Sequence, residues 1–507
     1  MEVGDIRKSL LASDYTGNMI ASFKKDITAP IIGSGLNIKS SDEEVVHVVR
    51  ELLLFEHGLA KMPLGDMLKA LGNMLYFSIS LIPSIIGRSL IDTSGLVFFN
   101  LIGDTETQTI FGLYDAFYFL TYFCLVISLM DKFSIDMAVA FGEKKYAKVK
   151  EIFTKSGLVC LVFLFCFTLP LFVFAGPILK LMGVEDAKSD RIQDINRISV
   201  PLIILNMASE YVKSFCLSQG HEQIFGYSSL ITTLLTVIAN YYVIVDQKMG
   251  IKGWIFTKTA NEAVILIVAF VVYFWTIKES RGLISLRQAF KGFGNYFLRS
   301  LKYMLSVYPE FLGFNANLYY IVLRKDDNQT AAYNCMVNLS GLIFGCGIAF
   351  SIICRTRINI LIGIERYQAA KNFFKFFVAV NFLSGVFLGL VMYLSREYLA
   401  RAFSDSTEEV KHWFFKLLQV AAVFSGPVVS LNTVFVGMKT IGKVSLLLSL
   451  TVVIPMGGSI LLGYAIYKQD LYCDAQFLNY MGLITLLTVA CLTISLRSDW
   501  SKILKQK

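Results

Sequence analysis

Apolar residues fall in long blocks along this chain, and polar residues gather between the blocks. Two clear examples are segments 158–178 and 263–277, which contain no charged residue. A run of about twenty apolar residues spans the roughly 30 Å hydrocarbon core of a bilayer as a helix. Because a backbone in lipid must satisfy its own hydrogen bonds, such runs form helices there. The pattern therefore predicts membrane-spanning helices.

Twelve such segments can be read along the chain, and we number them spans 1 to 12. Their approximate bounds are 74–101, 107–131, 157–179, 198–219, 224–246, 253–277, 301–323, 331–354, 373–395, 413–436, 443–466 and 477–496. The composition agrees, since 55% of residues are hydrophobic and 17% charged, against about 25% charged in soluble proteins. The expected fold is an all-α polytopic membrane protein with twelve transmembrane helices.

Lysine and arginine are concentrated in alternate connecting segments, such as 132–155 and 278–302. Because these residues are enriched in cytoplasmic loops, both termini are predicted to be cytoplasmic. The polar start of the chain, 1–62, is then a cytoplasmic leader with no cleaved signal peptide. The net charge of +9 reflects this topology, and no nucleic-acid partner is expected.

The second half of the chain repeats markers of the first half in the same order. The pairs are Pro83 and Pro309, Pro201 and Pro427, and Gly142 and Gly363, and the two proline pairs have the same separation. Six spans followed by six similar spans form a parallel repeat, whose halves are related by an axis along the membrane normal. We therefore expect two lobes around a central cavity, typical of a transporter. The predicted divisions are the leader 1–62, an N-lobe 63–279, an inter-lobe cytoplasmic loop 280–297, a C-lobe 298–496 and a cytoplasmic tail 497–507.

Several loop motifs resemble the multidrug and toxic compound extrusion (MATE) family, as in a remote, eukaryotic-like member. The matching segments are 140–150 (AFGEKKYAKVK), 249–253 (MGIKG), 356–371 (TRINILIGIERYQAAK), 403–410 (FSDSTEEV) and 437–444 (GMKTIGKV). They occur in family order over roughly 70–496, although Ile364 and Glu365 replace the usual glycines. The resemblance implies export of organic cations, drugs or metabolites, driven by inward proton or sodium flow, with no other cofactor.

Glu310 is the leading candidate for the coupling residue. An ionisable side chain inside a span is costly and is therefore a functional candidate. Segment 306–320 (SVYPEFLGFNANLYY) resembles the family's span 7, which has two glutamates. Glu310 matches the first, and Asn315 stands in place of the second. The resemblance implies that Glu310 binds the coupling cation, whereas a purely structural hydrogen bond is the alternative. Tyr308, Phe311 and Tyr333 are proposed cavity residues by proximity.

Other charged residues in the spans have two readings each. Asp92 could bind a proton, or it could pair with Arg88 four residues earlier. Glu210 with Lys213, and Lys258 with Glu262, are spaced for pairing within one helix. Asp115 lacks a partner nearby in sequence and could line the cavity. Asp131 and Asp136, near the inner end of span 2, are predicted to form a solvated gate or anchor.

Other classes of function fit the sequence less well. A lipid-linked oligosaccharide or lipid flippase of the same superfamily remains the alternative, but its cavity should be rich in arginine and lysine. A channel needs a filter or rings of identical groups, and neither is apparent. The nine cysteines and four histidines are scattered, so no metal site and no enzymatic activity are expected. The expected protein is a monomer in the plasma membrane or a vesicle membrane, surrounded by lipid and binding a small organic cation.

Overall fold

The computed structural model describes residues 65, 72, 85–87, 89–95, 97–99, 105–181, 184–275, 277, 280–324, 326–403 and 408–502, which are helical or loop throughout. Residues 85–87, 89–95 and 97–99 are helical parts of span 1. The remaining helices of the N-lobe follow in chain order. They are α1 (Thr105–Tyr118), α2 (Cys124–Gly142), α3 (Tyr146–Phe163), α4 (Leu169–Val173), α5 (Ala175–Leu181), α6 (Asp186–Ile198), α7 (Val200–Leu217), α8 (Glu222–Tyr241) and α9 (Gly250–Trp275).

The connecting segment and the C-lobe contain ten further helices. They are α10 (Leu286–Phe290), α11 (Phe293–Leu305), α12 (Tyr308–Val322), α13 (Asp327–Gly363), α14 (Tyr367–Leu394), α15 (Arg396–Phe403), α16 (Glu408–Thr440), α17 (Val444–Thr451), α18 (Gly458–Lys468) and α19 (Cys473–Arg497). Four spans also contain a short π-helical turn, at Phe119–Phe123, Leu164–Thr168, Tyr242–Asp246 and Val452–Gly457.

Most of the predicted spans are present as long apolar helices. In the part of the chain that is described, nine helices are long and apolar enough to cross a membrane, and they correspond to spans 2 to 6 and 9 to 12. Span 8 is the 37-residue helix α13, and span 7 is divided between α11 and α12. The leader 1–62 and most of span 1 lie outside the described residues.

Two helices extend well beyond the predicted apolar segments. The helix of span 2 continues to Gly142, into the segment predicted as an inner loop, and α13 continues to Gly363. Hydropathy marks only the part of a helix that meets lipid, whereas the backbone hydrogen bonds can continue into the aqueous region. The two extended ends belong to equivalent helices of the two lobes.

The two extended helices meet at their ends through a repeat-related pair of glycines. A Cβ atom on Gly142 would lie 2.8 Å from the carbonyl oxygen of Ile360, and one on Gly363 would lie 2.7 Å from that of Val139. A Cβ on Gly363 would also be 3.0 Å from the Gly142 Cα. Equivalent residues contact each other only near a twofold axis. The contact therefore supports a pseudo-twofold relation between the lobes that passes close to these glycines.

The matched prolines have different effects on their helices. Pro201 lies in the first turn of α7, where a missing N–H group removes no helical hydrogen bond. Pro427 lies inside the continuous helix α16, where its missing N–H removes one. Pro201 therefore marks the start of a helix, whereas Pro427 lies within one.

Replacing Gly363 with alanine is expected to destabilise the protein by about 1–3 kcal/mol, the usual cost of overpacking. The reason is that the added methyl group would meet backbone atoms of α2, which cannot rotate away. Gly112→Ala is the matched control, since a Cβ there would have no neighbour within 4 Å among the described residues. Thermal unfolding in detergent measures both variants. Equal unfolding temperatures would show that the helix ends separate at no cost.

Candidate functional site

Span 7 is interrupted next to the predicted coupling residue. The helix α11 ends at Leu305 and α12 begins at Tyr308, with Pro309 in its first turn. Glu310 follows in the same turn, and its backbone N–H donates to the carbonyl of Val307 at 3.1 Å. The positive end of the helix dipole favours a carboxylate at this position. The proline break therefore places an acidic side chain where a helix begins within the span.

The side chain of Glu310 is buried, with 8% of the residue exposed. Within the described part of the chain, its carboxylate forms no ion pair or side-chain hydrogen bond. Lys439 on α16 and the hydroxyl of Tyr480 on α19 are within its electrostatic reach. A buried carboxylate without a close partner is costly, so it can gain free energy by binding a cation.

Aromatic rings surround this part of α12. The ring of Phe311 packs edge-on against Phe119 of the N-lobe, with centroids 5.4 Å apart. Phe314, one turn further along α12, lies 5.0 Å from Tyr480 and 6.3 Å from Tyr333 between ring centroids. The buried hydroxyl of Tyr333 has no hydrogen-bond partner among the described residues. These rings provide faces that could hold an organic cation.

The residues predicted to line the cavity with Glu310 differ in their surroundings. Phe311 and Tyr333 lie in the aromatic group around Glu310, while Tyr308 is half-buried at the start of α12. The Asn315 side chain donates to the backbone carbonyl of Phe311 at 2.9 Å, so its amide bonds within its own helix. Tyr480 was missed, because it lies in span 12 and nothing in its local sequence connects it to Glu310.

Asp92 has a partner on another helix. Its carboxylate pairs with the ammonium group of Lys258 on α9, at 2.5 Å. Glu262 accepts a hydrogen bond from the hydroxyl of Ser209 at 2.8 Å, and the expected pairing with Lys258 is wrong. Arg88 lies outside the described residues. Lys258 pairs with Asp92 because span 1 packs against α9 and places this carboxylate closer to the lysine than Glu262, one helical turn away on α9.

The other intrahelical pair in the N-lobe is confirmed. Lys213 and Glu210 pair on α7 at 2.8 Å. Asp115 lies half-buried on α1, and both it and Asp92 are within electrostatic reach of the Tyr114 hydroxyl. The structure therefore brings two of the predicted acidic residues, Asp92 and Asp115, close to the same tyrosine of the N-lobe.

Uncharged polar residues connect spans 1, 5 and 6 next to Asp92. The side-chain amide of Asn240 donates to the hydroxyl of Ser94 at 3.1 Å and accepts a hydrogen bond from the hydroxyl of Thr257. The Thr236 hydroxyl donates to Asn261 at 3.3 Å. Sequence reasoning missed this network, although asparagines within apolar spans are a usable signal because a buried amide needs partners.

Asp131 connects the two lobes. Its carboxylate pairs with Arg355 on α13 and with Lys439 on α16, the second at 2.9 Å. The side chain of Asp131 is 21% exposed, and those of Arg355 and Lys439 are 7% and 3% exposed. Asp136 instead pairs with Lys132 within α2. The expected solvated group is therefore mostly buried, and of these two aspartates Asp131 is the one whose ion pairs, among the described residues, join the lobes.

The fold and these charges define a class of protein. The chain is an integral, multi-pass helical protein with two lobes, a buried carboxylate in a broken span and ion pairs between the lobes. No group of three or more histidine, cysteine, aspartate or glutamate residues that could hold a metal ion occurs in the described ranges. These features are typical of secondary transporters, whose sites lie at broken helices between lobes.

Comparison with known proteins identifies the family. The MatE family model matches residues 83–242 and 311–465, together more than half of the chain. The chain therefore belongs to the MatE family and is a membrane transporter, as the loop motifs suggested. The sequence is not significantly similar to any curated protein.

Solved structures with this fold are similar in shape and distant in sequence. The eukaryotic MATE transporter AtDTX14 has 14% identity and a TM-score of 0.74, with 86% of this chain and 98% of that chain covered. A MOP superfamily transporter from Pyrococcus furiosus has 13% identity and a TM-score of 0.73, with 85% and 96% covered. A variant of the Vibrio cholerae MATE transporter VcmN has 13% identity and a TM-score of 0.68, with 86% and 97% covered. These likenesses confirm the two-lobed, all-helical fold.

Proposed function

We propose that this transporter exports organic cations by antiport, exchanging them at Glu310 for inward-moving protons or sodium ions. The observation that carries the proposal is the burial of Glu310 without a close ionic partner in the described chain. The C-lobe carboxylate must be neutralised by something, and a mobile cation can do so. In the N-lobe, by contrast, the carboxylate of Asp92 already has Lys258 as its partner.

A single carboxylate can couple two cation fluxes by competition. When a proton or a sodium ion neutralises Glu310, an organic cation loses its electrostatic reason to bind there. When the organic cation binds, its positive charge takes over that role and the rings of Phe311 and Tyr333 contact its apolar part. Only one of the two occupies the site at a time, and occupancy by one therefore releases the other. With alternating access, this exclusion produces antiport.

The contacts between the lobes provide the barrier that alternates. Two kinds of contact hold the lobes together near the extended ends of α2 and α13. The first is the ion pairing of Asp131 with Arg355 and Lys439, and the second is the close contact of Gly142 with Gly363. The predicted topology puts these ends on the cytoplasmic side. Breaking these contacts would open the cavity inward. Lys439 takes part in this barrier and is also within electrostatic reach of Glu310, so the two parts of the cycle are physically connected.

The charges in the spans favour a cationic substrate over the phosphate group that a flippase would bind. Lys213, Lys258 and Lys439 each pair with an acidic side chain. None of these three lysines is therefore left to attract an anion. The Pyrococcus furiosus transporter is reported to have a binding pocket of reversed polarity, which suggested a different function for it. The same fold therefore serves pockets of either sign, and the pocket's own residues decide the substrate.

Transport by purified protein in liposomes tests the proposal. We expect ethidium or tetraethylammonium to accumulate inside the liposomes against its gradient when an outward-directed gradient of protons or sodium ions (higher inside) is imposed. Addition of an ionophore for that ion should collapse this accumulation. Transport of both cations at equal rates with and without either gradient would contradict antiport. Scrambling of a lipid-linked oligosaccharide without any cation transport would favour the flippase.

A further inference from the structure

Lys258 is enclosed on several sides by groups that bind ammonium ions. Its nitrogen lies 4.3 Å from the ring centroid of Trp254 and 5.3 Å from that of Tyr118, and it pairs with Asp92. The side chain is 3% exposed. Two aromatic faces and a carboxylate around one desolvated ammonium group are the chemistry by which proteins recognise alkylammonium ligands.

The walls of this enclosure are held in place by neighbours. The fully buried indole of Trp254 packs edge-on against Phe111, with centroids 4.8 Å apart, and its N–H donates to the carbonyl of Ile91 at 3.4 Å. A Cβ on Gly95 would lie 2.8 Å from the indole, so the glycine provides the space for this ring. The second wall, Tyr118, is buried against Tyr122 with centroids 5.3 Å apart.

The enclosure would therefore remain if the lysine were shortened. The contacts that hold Trp254 and Tyr118 come from Phe111, Ile91 and Tyr122, and none of these is made through Lys258. The carboxylate of Asp92 would then face an empty volume of the size of a short alkylammonium ion, between two ring faces. This is a preformed site, and preformed sites bind ligands without paying an ordering cost.

We propose that the N-lobe contains a cation site for a primary alkylammonium ion, and that Lys258 is its tethered, permanent ligand. The tether keeps the local concentration of the lysine ammonium far above that of any solute, and the site excludes free cations. This part of the inference rests on the structure of the N-lobe alone. If the N-lobe site excludes free cations, solute cations bind only at the C-lobe carboxylate, Glu310, and this second step rests on the proposed function.

Binding of n-propylammonium to Lys258→Ala tests the site without any transport. The alanine variant lacks the propylammonium part of the lysine side chain, and the free ion should restore it. We expect n-propylammonium chloride to raise the unfolding temperature of purified Lys258→Ala in a saturable manner, by more than it raises that of the wild type. Propionate, which is an anion of similar size, and n-propanol, which is neutral, should have no such effect.

Three further variants separate the site from general effects. Lys258→Met fills the enclosure with an uncharged chain, and Asp92→Asn/Lys258→Ala removes the charge that attracts the ligand, so neither should respond. Lys213→Ala is the matched control, because Lys213 is also paired within a span but lies over no aromatic ring among the described residues. A response of Lys258→Ala no larger than that of Lys213→Ala would overturn the proposal.

The test remains decisive if Lys258→Ala is unstable. In that case the membranes are solubilised with and without n-propylammonium, and the recovery of monodisperse protein is compared by size-exclusion chromatography. Recovery that depends on the ion supports the site, and equal loss under both conditions overturns it. Failure of the transport assay described above would leave these binding results unaffected, so the two proposals fail separately.

Discussion

Glu310→Gln is expected to reduce gradient-driven export by at least about tenfold, the effect of losing about 1.4 kcal/mol of cation stabilisation. The amide keeps the shape of the side chain, but it has no negative charge. It therefore neither takes up a proton nor attracts a sodium ion or an organic cation. The unfolding temperature should be unchanged or higher, because the substitution removes a buried charge without a close partner. The measurement is uptake into liposomes under an imposed gradient, with the unfolding temperature determined on the same preparation.

Glu262→Gln is the control for this substitution. Glu262 is similarly buried, with 7% of the residue exposed against 8% for Glu310, but its carboxylate accepts a hydrogen bond from Ser209. An amide oxygen can accept the same bond, and we expect transport close to that of the wild type. If Glu310→Gln transports as well as Glu262→Gln does, Glu310 is structural and Asp115 becomes the acidic residue to test next.

Asp131→Asn should destabilise the closed arrangement of the lobes by about 3–5 kcal/mol, the typical cost of removing one partner from a buried ion pair. The substitution leaves Arg355 and Lys439, both nearly inaccessible, without the carboxylate that bridges them. We therefore expect faster backbone hydrogen exchange at 139–146 and 360–367, where the ends of α2 and α13 meet. Hydrogen-exchange mass spectrometry of the protein in detergent or nanodiscs measures this directly.

Asp136→Asn is the matched control for the lobe contact. Asp136 lies five residues after Asp131 on the same helix, but its partner Lys132 is on that helix too. Lys132 also contacts the ring faces of Tyr296 and Tyr303, at 5.3 and 5.0 Å from their centroids. Removing Asp136 should leave exchange at the helix ends unchanged. Equal acceleration in both variants would show that α2 is loosened as a whole and that Asp131 has no special role between the lobes.

The pairing of charges shows how far the candidate sites could be predicted. The spacing of Glu210 and Lys213 predicted their ion pair, because three residues along a helix bring two side chains together whatever surrounds them. The same rule was wrong for Lys258 and Glu262, since span 1 places Asp92 closer to the lysine than its own helix places Glu262. A local rule holds only where no neighbouring helix offers a better partner.

The sequence by itself determined the elements and their order. Apolar segments predicted the spans because a helix is the form in which a single chain segment can satisfy its backbone in lipid. The recurrence of Pro83 and Pro309, and of Gly142 and Gly363, indicated the two halves. A glutamate after a proline in span 7 marked Glu310, since an isolated acid in an apolar segment needs a reason to be there.

Only the tertiary structure decided which groups meet. It placed Tyr480 near Glu310, joined Asp131 to two cations of the other lobe, and put the ammonium of Lys258 between Trp254 and Tyr118. Each of these contacts joins residues far apart in sequence, and their distance depends on how whole helices rotate and cross. Hydropathy along a chain reports burial of a segment, while the chemistry of a site depends on the faces that neighbouring helices present to each other.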